Sequence, residues 1–83
     1  MSVLNNVKAV LLNTLNLDKD KITLVETTYL LGNIPELDSM GVINVTTAIE
    51  EYFDIRIEDD EINAENFESV ASLVSLVNKK LDV

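Results

Sequence analysis

Ser39 is the hydroxyl in this sequence best placed to do chemistry, and its neighbours suggest which kind. It lies in Pro35-Glu36-Leu37-Asp38-Ser39-Met40-Gly41, where a long connecting segment gives way to an amphipathic run ending in Glu50-Glu51-Tyr52-Phe53. The first backbone N–H groups of a helix have no intrahelical acceptor and carry partial positive charge. A phosphodiester hung on Ser39 would lie near them. Asp38 suits the N-cap or the first turn, and as a supporting residue it could orient an incoming group or a metal-bound cofactor held by a modifying enzyme. Gly41, one turn in, is expected to leave room beside the site. Capping alone is the competing explanation for an Asp-Ser pair at a helix start. Catalysis by the chain itself has little to draw on. There is no histidine and no cysteine, so the commonest general base near neutral pH and any thiolate are absent. The carboxylates are dispersed, and no nucleophile–base pair can be named. No catalytic residue and no metal ligand is assigned, an enzyme is not expected, and any thiol chemistry must come from an attached group.

Three substantial helices and one short one are expected to position this serine. Residues 2–15 carry Leu4, Val7, Leu11 and Leu15 at helical spacing, widened by Val3 and Val10, with Ser2 available as a cap. Residues 39–53 form the second helix, with an inward stripe of Val42, Val45, Ile49 and Tyr52-Phe53 joined by Ala48. Met40 and Ile43 fall beside that stripe, at the end near Ser39. Thr46 and Thr47 are poor helix formers, so tertiary packing must hold this helix. Glu58-Asp59-Asp60-Glu61 could open a short helix around Ile62, since acids suit a helix N-terminus. Asn66 or Ser69 then caps the last helix, whose stripe is Val70, Leu73, Val74, Val77 and Leu81, with Lys79 and Lys80 in its last turn.

Residues 16–37 read as one long connection that begins with the polar turn Asp18-Lys19-Asp20-Lys21. Its apolar residues, among them Ile22, Leu24, Val25, Tyr29, Leu30, Leu31, Ile34 and Leu37, show no clean helical period. Structureless loops of about 20 residues are uncommon in compact domains, so this one is expected to pack across a helical bundle. A strand at 22–30 is the alternative, with no second strand evident for it to pair with. The expected architecture is all-α: a small four-helix bundle forming one domain over residues 1–83, with a long loop between helices 1 and 2.

Composition narrows the function classes. The apolar fraction of 47% is enough for a core. A net charge of −9 argues against nucleic acid and anionic membranes as partners and favours basic patches on proteins. Keeping a small domain in solution is the plainer use of that charge. No apolar run approaches the ~20 residues of a membrane span and no secretory segment opens the chain, so a cytoplasmic location without membrane insertion is expected; a monomer is expected as well. The acidic run at 58–61 lacks the alternating acids and central glycine of a calcium loop.

Leu37-Asp38-Ser39-Met40, followed by Ile43, Val45, Ile49, Glu50-Glu51, Phe53 and the Asp54-Ile55-Arg56-Ile57 link, resembles the acyl carrier protein family over essentially the whole chain. The Ile34-Pro35-Glu36-Leu37-Asp38-Ser39-Met40 run looks most like stand-alone carriers that accompany bacterial exosortase and exopolysaccharide gene clusters. The resemblance implies that Ser39 carries 4′-phosphopantetheine, transferred from coenzyme A by a phosphopantetheinyl transferase that supplies the Mg²⁺. An acyl group would ride on its terminal thiol as a thioester. Acyl-loading ligases, acyltransferases or synthases of fatty acid, polyketide or related biosynthesis would be the remaining partners. Aminoacyl or peptidyl cargo is an alternative, and so is an acidic adaptor that never carries the group. By the same resemblance Glu36, Asp38, Met40, Ile43, Glu50 and Glu51 would form the partner surface. Otherwise Met40 and Ile43 are ordinary core residues and the acids a solvated face. The chain departs from the family pattern at Met40 for leucine, Glu36 for glycine and Asn44 for an acid, and its segment before the last helix is a little longer.

Overall fold

A computed structural model describes residues 2–18, 20 and 22–81. Three α-helices carry the regular structure: Val3–Thr14 (α1), Ser39–Phe53 (α2) and Val70–Leu81 (α3). The expected short fourth helix is corrected to a single 3-10 turn at Asp59–Glu61. Side-chain competition explains why no α-helix forms beyond it. Asn63 Nδ2 donates to the Asp60 carbonyl (2.9 Å), Asn66 Nδ2 donates to the Glu61 carbonyl (2.8 Å), and the Asn66 N–H donates to Asn63 Oδ1 (2.8 Å). Backbone groups that a helical ladder would use are taken by asparagine amides instead.

The helix ends follow from their caps. Ser2 Oγ accepts from the Asn5 N–H, as expected for α1. Of the two candidates for α3, Ser69 is the cap: its Oγ accepts from the Ser72 N–H (3.2 Å), and Ser72 Oγ accepts from the Ser69 N–H (3.0 Å). Two orphan donors are thereby satisfied reciprocally, as in a capping box. Past α2 the chain turns at Asp54, whose φ of 55° is left-handed, and the Ile55 N–H returns to the Glu50 carbonyl.

The helices pack through the stripes read from the sequence. Val7, Val10, Leu11 and Leu15 meet Val45 and Ile49 of α2 and Val70, Leu73, Leu76 and Val77 of α3 in one buried cluster. Tyr52 departs from its expected inward place: it is 51% exposed, and its hydroxyl bonds Asn6 Oδ1. Phe53 remains half-buried against the cluster.

The long connection does cross the bundle. Leu24, Leu30, Ile34 and Leu37 are buried, each worth about 1.5–3 kcal/mol of apolar transfer. Its backbone finds a partner that no sequence pattern announces, the entry of α3. The Leu30 N–H donates to the Glu68 carbonyl (2.8 Å), the Leu31 N–H to Phe67 (3.1 Å), the Val70 N–H to Thr28 (3.0 Å) and the Ala71 N–H to Glu26 (2.8 Å). Tyr29 and Ser69 face each other as an isolated antiparallel bridge. In the polar turn, Asp20 N–H donates to Asp18 Oδ1. Lys19 and Lys21 lie outside the described residues.

Two contacts hold the ends of the site in place. Gly41 is buried rather than opening space: a Cβ there would come 2.5 Å from the Glu36 carbonyl and 3.2 Å from Leu15. Alanine would raise helix propensity by up to ~1 kcal/mol, but overpacking against backbone typically costs about 1–3 kcal/mol. Gly41→Ala is therefore expected to lower stability, read as a reduced denaturant midpoint.

On the other side, Lys80 near the end of α3 pairs with Glu61, and both side chains are largely covered. Glu61 also accepts from the Glu58 N–H. The Lys80 ammonium, then the Glu58 N–H, hold the Glu61 carboxyl below its usual value of 4.5. A depressed folded pKa gives stability that is present above 4.5 and lost as pH falls through the folded value. Acid unfolding of Glu61→Gln should accordingly show a weaker loss of stability below that pH than the parent, measured by chemical denaturation across the acid range.

Candidate functional site

Asp38 determines where α2 begins. Its backbone is extended (φ −93°, ψ −168°), and its Oδ1 accepts from the Gly41 N–H at 2.8 Å. It is the N-cap, one of the two roles expected for it. That leaves Ser39 as the first helical residue. The N–H groups of Ser39 and Met40 have no intrahelical acceptor, by helix geometry. Ser39 is exposed, and its hydroxyl makes no hydrogen bond among the described residues. An N-terminal serine already spent on capping would be poorly placed to react. Because Asp38 takes the cap, the Ser39 Oγ stays free.

The serine stands on the lip of an open groove of about 550 Å³. Leu37 and Val42 line it from the α2 side, Leu31 from the long loop, and Ile62, Asn63, Ala64 and Phe67 from the segment before α3. Phe67 is 1% exposed and forms part of the floor, with the packed core behind it. Ile43 and Ile62 also line a second, more polar groove of about 320 Å³ with Thr46, Thr47 and Glu50, so they form the sill between the two. Apart from Ile62, which was placed only as the centre of a short helix, the groove residues beyond α2 were not singled out from the sequence. The segment that carries Asn63, Ala64 and Phe67 offers no helical period to single them out, because it runs through bends and turns.

The sequence-selected residues near Ser39 separate by exposure. Met40 is 63% and Ile43 54% exposed, so neither is a core residue. Glu36 and Glu51 are exposed as well. Glu50 is different: it is half-buried, and its Oε2 accepts from the Ile57 N–H at 2.9 Å. That bond ties the link after α2 back to the helix, which gives Glu50 a structural use whatever partner it meets. Among the described residues there is no cluster of three or more acids that could hold a metal.

Replacing the Glu50 carboxylate removes the acceptor of a sheltered N–H, a loss of about 1–3 kcal/mol. Glu50→Lys should thus lower the thermal midpoint, while Glu51→Lys, at an exposed position, should leave it nearly unchanged. Paired melts of the two variants check this.

Known proteins resemble the chain along its length. Residues 6–77 match the family described as a phosphopantetheine attachment site. The acyl carrier protein of Petrotoga mobilis is 31% identical over 93% of this chain and 85% of its own. That of Akkermansia muciniphila is 31% identical over 94% and 91%. Among solved structures, the holo acyl carrier protein of Nitrosomonas europaea is 52% identical, with a TM-score of 0.88 over the whole of both chains. The holo acyl carrier protein of Geobacter metallireducens, 24% identical with a TM-score of 0.79, shares the fold. The chain belongs to the acyl carrier protein family: it is a carrier rather than an enzyme, and its prosthetic group is 4′-phosphopantetheine.

Proposed function

We propose that Ser39 is the attachment point of 4′-phosphopantetheine, and that the groove beside it receives the arm. The observation that carries this reading is the free, exposed Ser39 hydroxyl on the first residue of α2, at the lip of an apolar groove. The residues suit the group. The Ser39 and Met40 N–H groups would face the phosphate. Leu31, Ile43 and Ile62 would cover apolar portions of the arm, and the Asn63 side chain stands on the groove wall for its amides. When bound, the group supplies the terminal thiol that holds an acyl chain as a thioester. The chain's own part is to hold Ser39 accessible, to shelter the arm from water and to present it to other proteins.

The supporting residue Asp38 spends one oxygen on the cap; its Oδ2 makes no hydrogen bond among the described residues. Met40 and Ile43 would be the apolar centre of a partner surface, with Glu36, Glu50 and Glu51 as its acidic rim. A phosphopantetheinyl transferase, acyl-loading ligases and acyltransferases or synthases of acyl biosynthesis are the partners this surface would meet. We read residues 1–83 as one acyl-carrier domain, monomeric and cytoplasmic, akin to stand-alone carriers of exosortase-associated clusters, with the Asp59–Glu61 turn standing where the family's short helix would be. No described helix is long and apolar enough to cross a membrane.

Intact mass after incubation with coenzyme A, Mg²⁺ and a broad-specificity phosphopantetheinyl transferase tests the reading. The parent should gain the mass of one phosphopantetheine group and Ser39→Ala should gain none. Equal gain in both would move the attachment elsewhere. A gain in neither would favour a prosthetic-group-free adaptor.

A further inference from the structure

The groove beside Ser39 has two banks, and only one of them belongs to α2. Leu31, on the long loop, lines the same groove from the other side and is 40% exposed. Tyr29, two residues earlier, is 62% exposed, while Leu30 between them is fully buried. Tyr29 and Leu31 thus expose two large apolar side chains on either flank of the buried Leu30, and Leu31 carries that apolar surface to the groove wall. Large apolar side chains grouped in water on one segment mark a surface that a partner can cover. The segment is rigid because Leu30, Leu31 and Val70 tie residues 28–31 to 67–70 through their N–H groups. A partner that used it would therefore have little to order.

Charge indicates what kind of partner fits. No Lys or Arg occurs between Lys21 and Arg56, or between Arg56 and Lys79. Both banks are built from those two stretches. Exposed Glu26, Glu65 and Glu68 lie on or beside the loop bank, and Glu36 and Asp38 lie at the Ser39 end. A protein surface with an apolar centre and a basic rim complements this distribution.

We infer that the transferase which modifies Ser39 grips both banks, meeting Tyr29 and Leu31 on the loop as well as Met40 and Ile43 on α2. The inference rests on the reading of Ser39 as the attachment point. In the transfer, a bond forms from Ser39 Oγ to the β-phosphorus of coenzyme A, the one bearing the pantetheine arm. The pyrophosphate bond breaks, adenosine 3′,5′-bisphosphate leaves, and the serine proton passes to a base on the transferase.

The test is the steady-state rate of arm transfer by a broad-specificity phosphopantetheinyl transferase, followed by mass. Four proteins are compared: the parent, the double variant Tyr29→Ser with Leu31→Ser, Glu68→Lys, and Tyr52→Ser as an exposed tyrosine elsewhere. The double variant should lose about ten-fold in kcat/KM, through KM with kcat retained. Glu68→Lys should lose at low salt and recover relative to the parent at high salt. Tyr52→Ser should match the parent. Cross-saturation between the transferase and the unaltered protein removes any dependence on variant folding: amides of residues 29–31 should respond together with those of 39–43. A double variant with parental kinetics, or saturation confined to α2, overturns the two-bank inference and leaves Ser39 as the site. Failure of the parent itself to accept the arm overturns the Ser39 reading instead.

Discussion

The pairing of the long loop's backbone with the entry of α3 is the constraint on which the rest of the fold hangs. A connection that crosses a helical bundle must find acceptors for its N–H groups and donors for its carbonyls, because leaving them buried and unpaired costs more than packing returns. Here residues 26–31 and 67–71 satisfy each other. That exchange seats Leu30 and Phe67 in the core and fixes the height at which the chain reaches Ile34 and Leu37. The bank that carries Leu31 and the floor that carries Phe67 are two sides of one hydrogen-bonded seam, so the groove is a consequence of the seam.

A second theme is the use of carboxylates as backbone acceptors. Asp38 takes the Gly41 N–H, Glu50 the Ile57 N–H and Glu61 the Glu58 N–H. Each sits where the chain enters or leaves a helical turn, where donors are orphaned. The acidity of this protein is therefore partly structural, and a charge reversal can act through the fold as readily as through a partner. Glu50 and Glu51 are adjacent in sequence yet differ in this respect, one sheltered and bonded, the other exposed.

The division of labour within the site follows from the cap. Since Asp38 closes the helix terminus, Ser39 is left as a free hydroxyl in a field of unsatisfied N–H groups, next to apolar walls. A carrier needs little more than that. It needs a point of attachment, a place for the arm to lie and surfaces that other proteins can grip, and it needs no base or nucleophile pair of its own. The absence of histidine and cysteine from the chain is compatible with this economy.

Helices α1, α2 and α3 were legible in the sequence because their apolar residues recur at 3.6-residue spacing and their caps are local: Ser2, Asp38 and Ser69 each bond an N–H three residues on. The position of Ser39 at the head of α2 was legible for the same reason, since a helix start beside an aspartate is a local feature. The resemblance to a carrier family rested on those same local runs. What stayed hidden depended on contacts that helical periodicity does not encode. The reduction of the short helix to one 3-10 turn was decided by asparagine amides reaching across several residues. The outward turn of Tyr52 came with its bond to Asn6, and the need for glycine at position 41 came from the Glu36 carbonyl packed against it. The groove's far wall, from Leu31 to Phe67, exists only because two stretches some forty residues apart in the chain share hydrogen bonds. Local periodicity carries no information about such a pairing, because the partner's position is set by the closing of the whole chain on itself.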